Sequence, residues 1–260
     1  MNSGDDIAPP RECELEGHRT FVIGDIHGCA DELNLLLHHI EEKEGLAPED
    51  VVIFIGDYID RGPDSKGVID LLLDFDERQK SDVYFLKGNH EEMLLGYLEL
   101  GGSGGDVYLI NGGKEFLASY GLGAKVKPSE ALEAIPERHI QFFQNLTRYL
   151  VSEQFIFAHA GLNPLRDLGH QIDDDLFWIR DEFIQNVHYF RKTVVFGHTP
   201  FEDVMFHLPF KIGIDTGLVY GNALTAIELS GERIYQIEPQ SVEIEEFSFK
   251  EKGGIWPKIG

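Results

Sequence analysis

The sequence predicts a mixed α/β fold, and three observations carry that expectation. Apolar runs of strand length alternate with segments of helical periodicity. Five of those runs end in a small residue followed by Asp, Asn or His. Hydrophobic residues make up 42% of 260, enough for a sizeable buried core.

The elements follow in order. Residues 1–17 are acidic, contain Pro9-Pro10 and show no period, which predicts a flexible N-terminal arm. Thr20 to Ile23 is a first apolar run, and 30–43 carries Leu33, Leu36, Leu37 and Ile40 on one helical face. Asp31 near its start and Gly45 near its end suit helix boundaries. Val51 to Ile55 is a second run, Ser65 to Phe75 a second helix, Val83 to Leu86 a third run and Glu91 to Leu100 a third helix. This rhythm argues for parallel strands joined by crossover helices. Gly101 to Gly113 is glycine-dense and predicts a loop bordering an accessory region. Residues 114–148 read as helices, with Pro128 and Pro136 as starts. Strand-like runs resume at 155–158, 193–196, 211–214, 223–229 and 233–237, and the piece from Phe247 to Gly260 is featureless.

Charge and cysteine content narrow the function. A net charge of −24 repels nucleic-acid backbone and anionic lipid, so neither nucleic acid nor membrane is expected as a partner. Two cysteines, Cys13 and Cys29, make no disulfide framework and fit a reducing compartment. No apolar run approaches the ~20 residues that span a bilayer, and the first residues lack a signal-peptide pattern. A cytoplasmic location is the expectation.

The chemistry lies at the strand ends. The runs close as Ile23-Gly24-Asp25-Ile26-His27, Ile55-Gly56-Asp57, Leu86-Lys87-Gly88-Asn89-His90, Phe157-Ala158-His159-Ala160-Gly161 and Phe196-Gly197-His198-Thr199. Ligands of open α/β sheets bind at the C-terminal strand edge, where small residues let the backbone turn and approach closely. Oxygen and imidazole donors without thiolate suit Mn, Fe or Zn. So many donors exceed one tetrahedral site and fit two ions sharing a carboxylate, which together generate a hydroxide and clamp a phosphoryl group. Arg61 can fork onto phosphate oxygens, a contact Lys cannot copy, and Asp60 can orient an imidazole.

Together these motifs resemble the metallophosphoesterases (calcineurin-like) of the bacterial serine/threonine protein phosphatase type. The likeness runs from Gly24 to Thr199, with a looser extension through Ile214-Asp215-Thr216-Gly217 to about Leu229. It implies a central β-sandwich flanked by helices, in place of a doubly wound sheet, with a dinuclear metal site at the strand ends. It implies one domain over 18–246, with a helical insert at about 101–148 and a C-terminal tail over 247–260. By the same resemblance Asp25 and His27 hold the first metal, Asp57 bridges both, and Asn89, His159 and His198 complete the second. His90 is the general acid, held by Asp60; Arg61 grips phosphate, and Arg180 is a second phosphate-binding arginine. The implied cofactor is two divalent metal ions, Mn first, with Fe or Zn as alternatives. The implied reaction is direct attack of metal-bound hydroxide on a phosphomonoester. Its substrate is a phosphorylated protein (phosphoserine or phosphothreonine, with phosphotyrosine open) or a small phosphoester.

Two rivals remain. Hydrolases of dinucleoside polyphosphates such as diadenosine tetraphosphate resemble the chain as well, including Leu224-Thr225-Ala226. In that group's pattern alanine stands at the place of Asp60, so the intact Asp60-Arg61-Gly62-Pro63 favours the phosphatase. The second rival is an inactive phosphate-binding scaffold, which would have lost a ligand or the acid, and none is missing. For each single residue a turn position or surface ion pair is the plainer explanation; it is the joint set that points to metal. His18, His38, His39, His139, His170, His188 and His207 fall outside the strand ends and are expected to be ordinary histidines.

Overall fold

The structure, a computed structural model, describes residues 9–257. In chain order the elements are β1 (Arg11–Glu12), β2 (Thr20–Ile23), α1 (Ala30–His38), β3 (Val51–Phe54), α2 (Ser65–Arg78), β4 (Asp82–Phe85) and α3 (Asn89–Tyr97). There follow α4 (Gly113–Ser119), α5 (Pro128–Ala134), α6 (Glu137–Gln144), β5 (Tyr149–Val151), β6 (Phe155–Ala158), α7 (Asp173–Trp178) and α8 (Asp181–Ile184). The chain ends with β7 (Thr193–Phe196), β8 (Met205–His207), β9 (Lys211–Gly213), β10 (Leu224–Glu228), β11 (Arg233–Ile237) and β12 (Glu245–Ser248).

The strands form two six-stranded sheets, ordered β12-β11-β10-β2-β3-β4 and β1-β5-β6-β7-β9-β8. The expected strand–helix rhythm is present in β2, β3 and β4, which are parallel and joined through α1 and α2. It does not extend into one doubly wound sheet: β6, β7 and β9 make a second parallel set, and β10 returns antiparallel to β2.

Strand alternation explains the layering. In β2 and β3, Val22 and Ile53 face the other sheet, where they meet Leu150, Phe157, Val195 and Ile212. Phe21, Ile23, Val52 and Phe54 face outward and are covered by Leu33, Leu36, Leu37, Val68, Ile69 and Leu72 of α1 and α2. On the outer face of the second sheet, Ile156, Ala158, Val194 and Phe196 pack against Leu176, Phe177 and Phe183 of α7 and α8. Strands buried on both faces read as continuous apolar runs, which is why they were visible in the sequence.

Two expectations for the chain ends need correction. Residues 1–8 lie outside the described residues, but 9–17 are no loose arm. Arg11–Glu12 pair in parallel with β5, Cys13 N–H donates to the Val151 carbonyl at 3.0 Å, and Leu15 is buried. Of the expected C-terminal tail, residues 258–260 lie outside the described residues, but Phe247 and Ser248 pair, within β12, on β11, and Phe249 is fully buried between the sheets. Both are edge additions whose two to four residues carry no readable period.

Candidate functional site

Loops leaving β2, β3, β4, β6 and β7 all meet at one end of the sandwich. The backbone there is strained in a consistent way. Nine non-glycine residues among those described adopt positive φ, and five of them are site residues: His27 (49°), Asp57 (52°), Asp60 (71°), Arg61 (65°) and His198 (64°). Such conformations cost energy and persist only where surroundings enforce them. Neighbouring glycines leave the room that these residues need. A Cβ at Gly88 would lie 2.2 Å from Asp57 Oδ1, and one at Gly197 would lie 2.1 Å from Asp25 Oδ1.

The ligand-type atoms gather into two triads that share Asp57: His27, Asp57 and His90, and Asp57, His159 and His198. Within each triad the atoms lie within 4.8 Å of one another. Asp57 Oδ2 is 3.5 Å from His27 Nε2, and Asp57 Oδ1 is 3.3 Å from His159 Nε2. Asn89 joins the second triad, its Oδ1 being 3.0 Å from His159 Nε2 and 2.9 Å from His198 Nδ1. Asp25 stands beside them but turns its carboxylate to the His198 N–H, at 3.0 and 3.3 Å.

Protonation follows from the hydrogen bonds. His27 Nδ1 donates to the Ile59 carbonyl and His159 Nδ1 to the Ile55 carbonyl, each at 2.9 Å. Both Nε2 atoms are then lone pairs aimed inward. Burial pushes His27 down to about 3 and His198 down to about 2, so these imidazoles are neutral. In the second triad His159 Nε2, Asp57 Oδ1 and Asn89 Oδ1 therefore face one another as acceptors. His198 Nε2 is buried without a hydrogen-bond partner. Asp25 is raised well above the usual carboxylate range by burial and by the charges of Asp215 and Asp57. Converging lone pairs and crowded buried carboxylates are what a pair of divalent cations would neutralise. The donor set fits such a pair.

His90, Asp60, Arg61 and Arg180 flank this centre. His90 Nδ1 is 2.7 Å from Asp60 Oδ2, and Tyr108 Oη donates to Asp60 Oδ1 at 2.8 Å. Arg61 directs a guanidinium N–H at His27 Nε2 over 2.7 Å. Arg180 is exposed at the mouth, donating to Thr199 Oγ1 at 3.2 Å, outside both triads.

Three positioning residues escaped the sequence reading. Glu91, fully buried, accepts N–H bonds from Asp57 (3.0 Å), Tyr58 (2.8 Å) and Gly88 (2.9 Å) and so ties the β3 loop to the start of α3. Glu91 stands three residues after Gly88, the spacing at which a glutamate reaches back to the N-cap N–H, and this half of a capping box is the signal the sequence offers. Asp215 is buried next to Asp25, raised to about 6 chiefly by burial, and ends an apolar run as the other site residues do. Tyr108 lies in the glycine-dense loop, where nothing in the sequence marks it. The seven remaining histidines stay outside the centre, though His39 clusters elsewhere with Glu44 and Glu246.

The chain is similar to known phosphoesterases. The model of the calcineurin-like phosphoesterase family matches residues 18–226. The asymmetrical bis(5'-nucleosyl)-tetraphosphatase PrpE of Oceanobacillus iheyensis is 30% identical over 79% of this chain and 86% of its own. Serine/threonine-protein phosphatase 1 of Salmonella typhimurium is 31% identical over 79% of this chain and 89% of its own. A solved structure described as a candidate diadenosine tetraphosphatase superposes with a TM-score of 0.65 at 25% identity, covering 89% of this chain and 98% of that one.

Proposed function

Because the chain belongs to the calcineurin-like phosphoesterase family and is a hydrolase, we propose that it cleaves the phosphoanhydride chain of dinucleoside polyphosphates, with diadenosine tetraphosphate as the model substrate. The observation that carries this is the match to bis(5'-nucleosyl)-tetraphosphatases along most of both chains, joined by the structural likeness to a candidate diadenosine tetraphosphatase. The sequence motifs favour protein phosphomonoesters through Asp60 alone, whereas a curated relative and a solved structure both favour the dinucleotide.

Asp25, His27 and Asp57 would hold one divalent ion, and Asp57, Asn89, His159 and His198 the other. Bound there, the two ions would supply a deprotonated water at neutral pH and neutralise charge on the phosphoryl oxygens. Arg61 and Arg180 orient the scissile phosphate through forked N–H donors. His90, with Nδ1 bonded to Asp60, presents Nε2 to the leaving oxygen and delivers its proton. Asp60 fixes the ring and favours its charged form, and Tyr108 fixes Asp60. Burial of all three keeps bulk water from the proton path.

A protein phosphatase is the second reading, favoured by the Salmonella relative and by the complete His90–Asp60 pair. Rates on diadenosine tetraphosphate and on a phosphoserine peptide separate the two, measured with Mn, Fe, Zn, Ni and Co in turn. Faster turnover of the dinucleotide is expected. Peptide turnover without dinucleotide turnover hands the case to the second reading.

A further inference from the structure

We propose that a cleft beside Arg61 is a nucleoside polyphosphate subsite, in which Tyr220 stacks a base and Lys114 holds the phosphate next to the scissile one. The proposal rests on the phosphoanhydride reading above and names where the rest of that substrate lies.

The cleft, about 390 Å³, is lined by Arg61, Leu109, Ile110, Lys114, Glu115 and Tyr220, among others. It joins the loop after β3, the turn before β10 and the segment leading into α4, so the insert forms one wall of it. Arg61 belongs to both spaces. One guanidinium nitrogen lies 2.7 Å from His27 Nε2, while the guanidinium carbon stands 5.6 Å from the Tyr220 ring centroid. A phosphate gripped by Arg61 therefore has the metal centre on one side and the cleft on the other.

The walls are fixed rather than loose. Arg61 N–H donates to the Gly112 carbonyl at 3.3 Å, and a Cβ on Gly112 would come within 2.7 Å of Arg61 Cγ. Tyr220 ends a short turn held between left-handed Gly217 and Gly221, and Gly217 N–H donates to Asp215 Oδ1 at 2.9 Å. Yet Tyr220 is 63% exposed, and Ile110 in the facing wall is 82% exposed. The two residues thus present exposed apolar surface on facing walls at the lip of a polar site, which a base held there would cover. An aromatic face of this kind stacks any base regardless of sequence.

Charge supports the same occupant. In a chain of net charge −24, the cleft carries two cations, Arg61 and Lys114, against one carboxylate, Glu115. Lys114 is a point charge with freely turning donors, suited to a phosphate whose exact position varies.

Calorimetric titration of the full chain with Mn²⁺ tests this, with ADP, pyrophosphate and orthophosphate as ligands. The ADP-to-pyrophosphate ratio of Kd reads the base, and the pyrophosphate-to-orthophosphate ratio reads the second phosphate. We expect ADP to bind about tenfold tighter than pyrophosphate, Tyr220→Ala to erase that preference and Tyr220→Phe to keep it. Lys114→Gln should lower the pyrophosphate-to-orthophosphate preference about fivefold. Each variant's own orthophosphate Kd controls for folding. Equal binding of ADP and pyrophosphate by the unaltered chain, or a preference that survives Tyr220→Ala, overturns the stacking. An unchanged pyrophosphate preference in Lys114→Gln overturns its part. Because these are binding ratios, they stand or fall apart from whether the chain hydrolyses diadenosine tetraphosphate.

Discussion

Asp60 Oδ2 lies 2.7 Å from His90 Nδ1, and neither side chain reaches solvent. That contact leaves His90 Nε2 as the free end of the ring, buried and without a hydrogen-bond partner. Burial lowers the basicity of His90, but the Asp57 charge and the Asp60 bond outweigh it and hold the imidazole above its ordinary value. A proton donor with this poise keeps its proton to higher pH than a free imidazole and loses it as pH rises through the raised value. His90→Ala should lower kcat on substrates with basic leaving oxygens by about 10²–10⁴, and much less on p-nitrophenyl phosphate, whose leaving group needs no proton. Asp60→Asn should move the alkaline limb of kcat to lower pH. An alkaline limb that stays in place would remove Asp60 from the proton path.

The metal site predicts a thermal shift. Asp25 and Asp215 are both raised, first by burial, with Asp57 charge adding in each case. Raised carboxyls favour the protonated form in the folded state, so binding a divalent ion must release those protons and strengthens with pH. Mn²⁺ at about 100 times its Kd should stabilise the fold by about 2.7 kcal/mol, a rise in Tm of roughly 5–10 °C for a chain of this size. The rise should shrink at pH 5, and Asp57→Asn should abolish it. Identical melting with and without metal at pH 7.5 would contradict the paired-cation reading.

How much of this was legible depends on where each residue sits. Val22, Ile53, Phe157 and Val195 were readable as strands because both their faces are covered, which leaves unbroken apolar runs. Asp25, Asp57, His159 and His198 were readable because each follows such a run at once. The division of those strands between two sheets was not readable from period, since β2 and β6 look alike locally; the family likeness supplied it. Tyr108 and Asp60 meet across 48 residues through a glycine-rich loop, and no local rule predicts that contact. The edge pairings of Arg11–Glu12 and Glu245–Ser248 depend on partners far away in sequence, on strands too short to show alternation.

The insert is tied down by a titrating cluster on α2, which predicts acid sensitivity. Asp70 accepts from Lys66 Nζ at 2.9 Å, from Arg138 and from His139 Nε2 at 3.1 Å, while Tyr120 Oη donates to His139 Nδ1 at 2.7 Å. Burial nudges Asp70 upward, but the three donors prevail and hold it down at about 2. Its contribution is thus fully present above the unfolded value of about 3.9 and is lost as pH falls through 2. Burial also lowers His139, so the unfolded chain takes up that proton first, and stability falls as pH drops below about 6.5. Asp70→Asn should lower stability at pH 7 by about 1 kcal/mol, a value reduced for its solvent exposure. Urea denaturation at pH 7 and pH 3 measures it, and an equal loss at both pH values would rule out the carboxylate charge as the cause.

Lys211 has no solvent exposure, and its ammonium donates to the carbonyls of Phe183, Ile184 (3.1 Å) and Asn186, lying 4.7 Å from the Phe183 ring centroid. These carbonyls close the C-terminal end of α8, whose first turn begins directly after Arg180. A cation there satisfies acceptors that a four-residue helix cannot pair internally. Lys211→Met keeps the packing volume but leaves the carbonyls unpaired, which should cost about 2–3 kcal/mol. Burial pulls the Lys211 ammonium down to about 8, so between pH 8 and about 10.4 the unfolded chain holds the extra proton and stability rises with pH. The variant lacks that rise, so the stability difference between wild type and variant should widen across this window. Because α8 carries Arg180 to the mouth of the site, KM for the phosphoester should increase more than kcat falls. A variant that melts like wild type, or that loses kcat alone, would break the link between this buried lysine and the placement of Arg180.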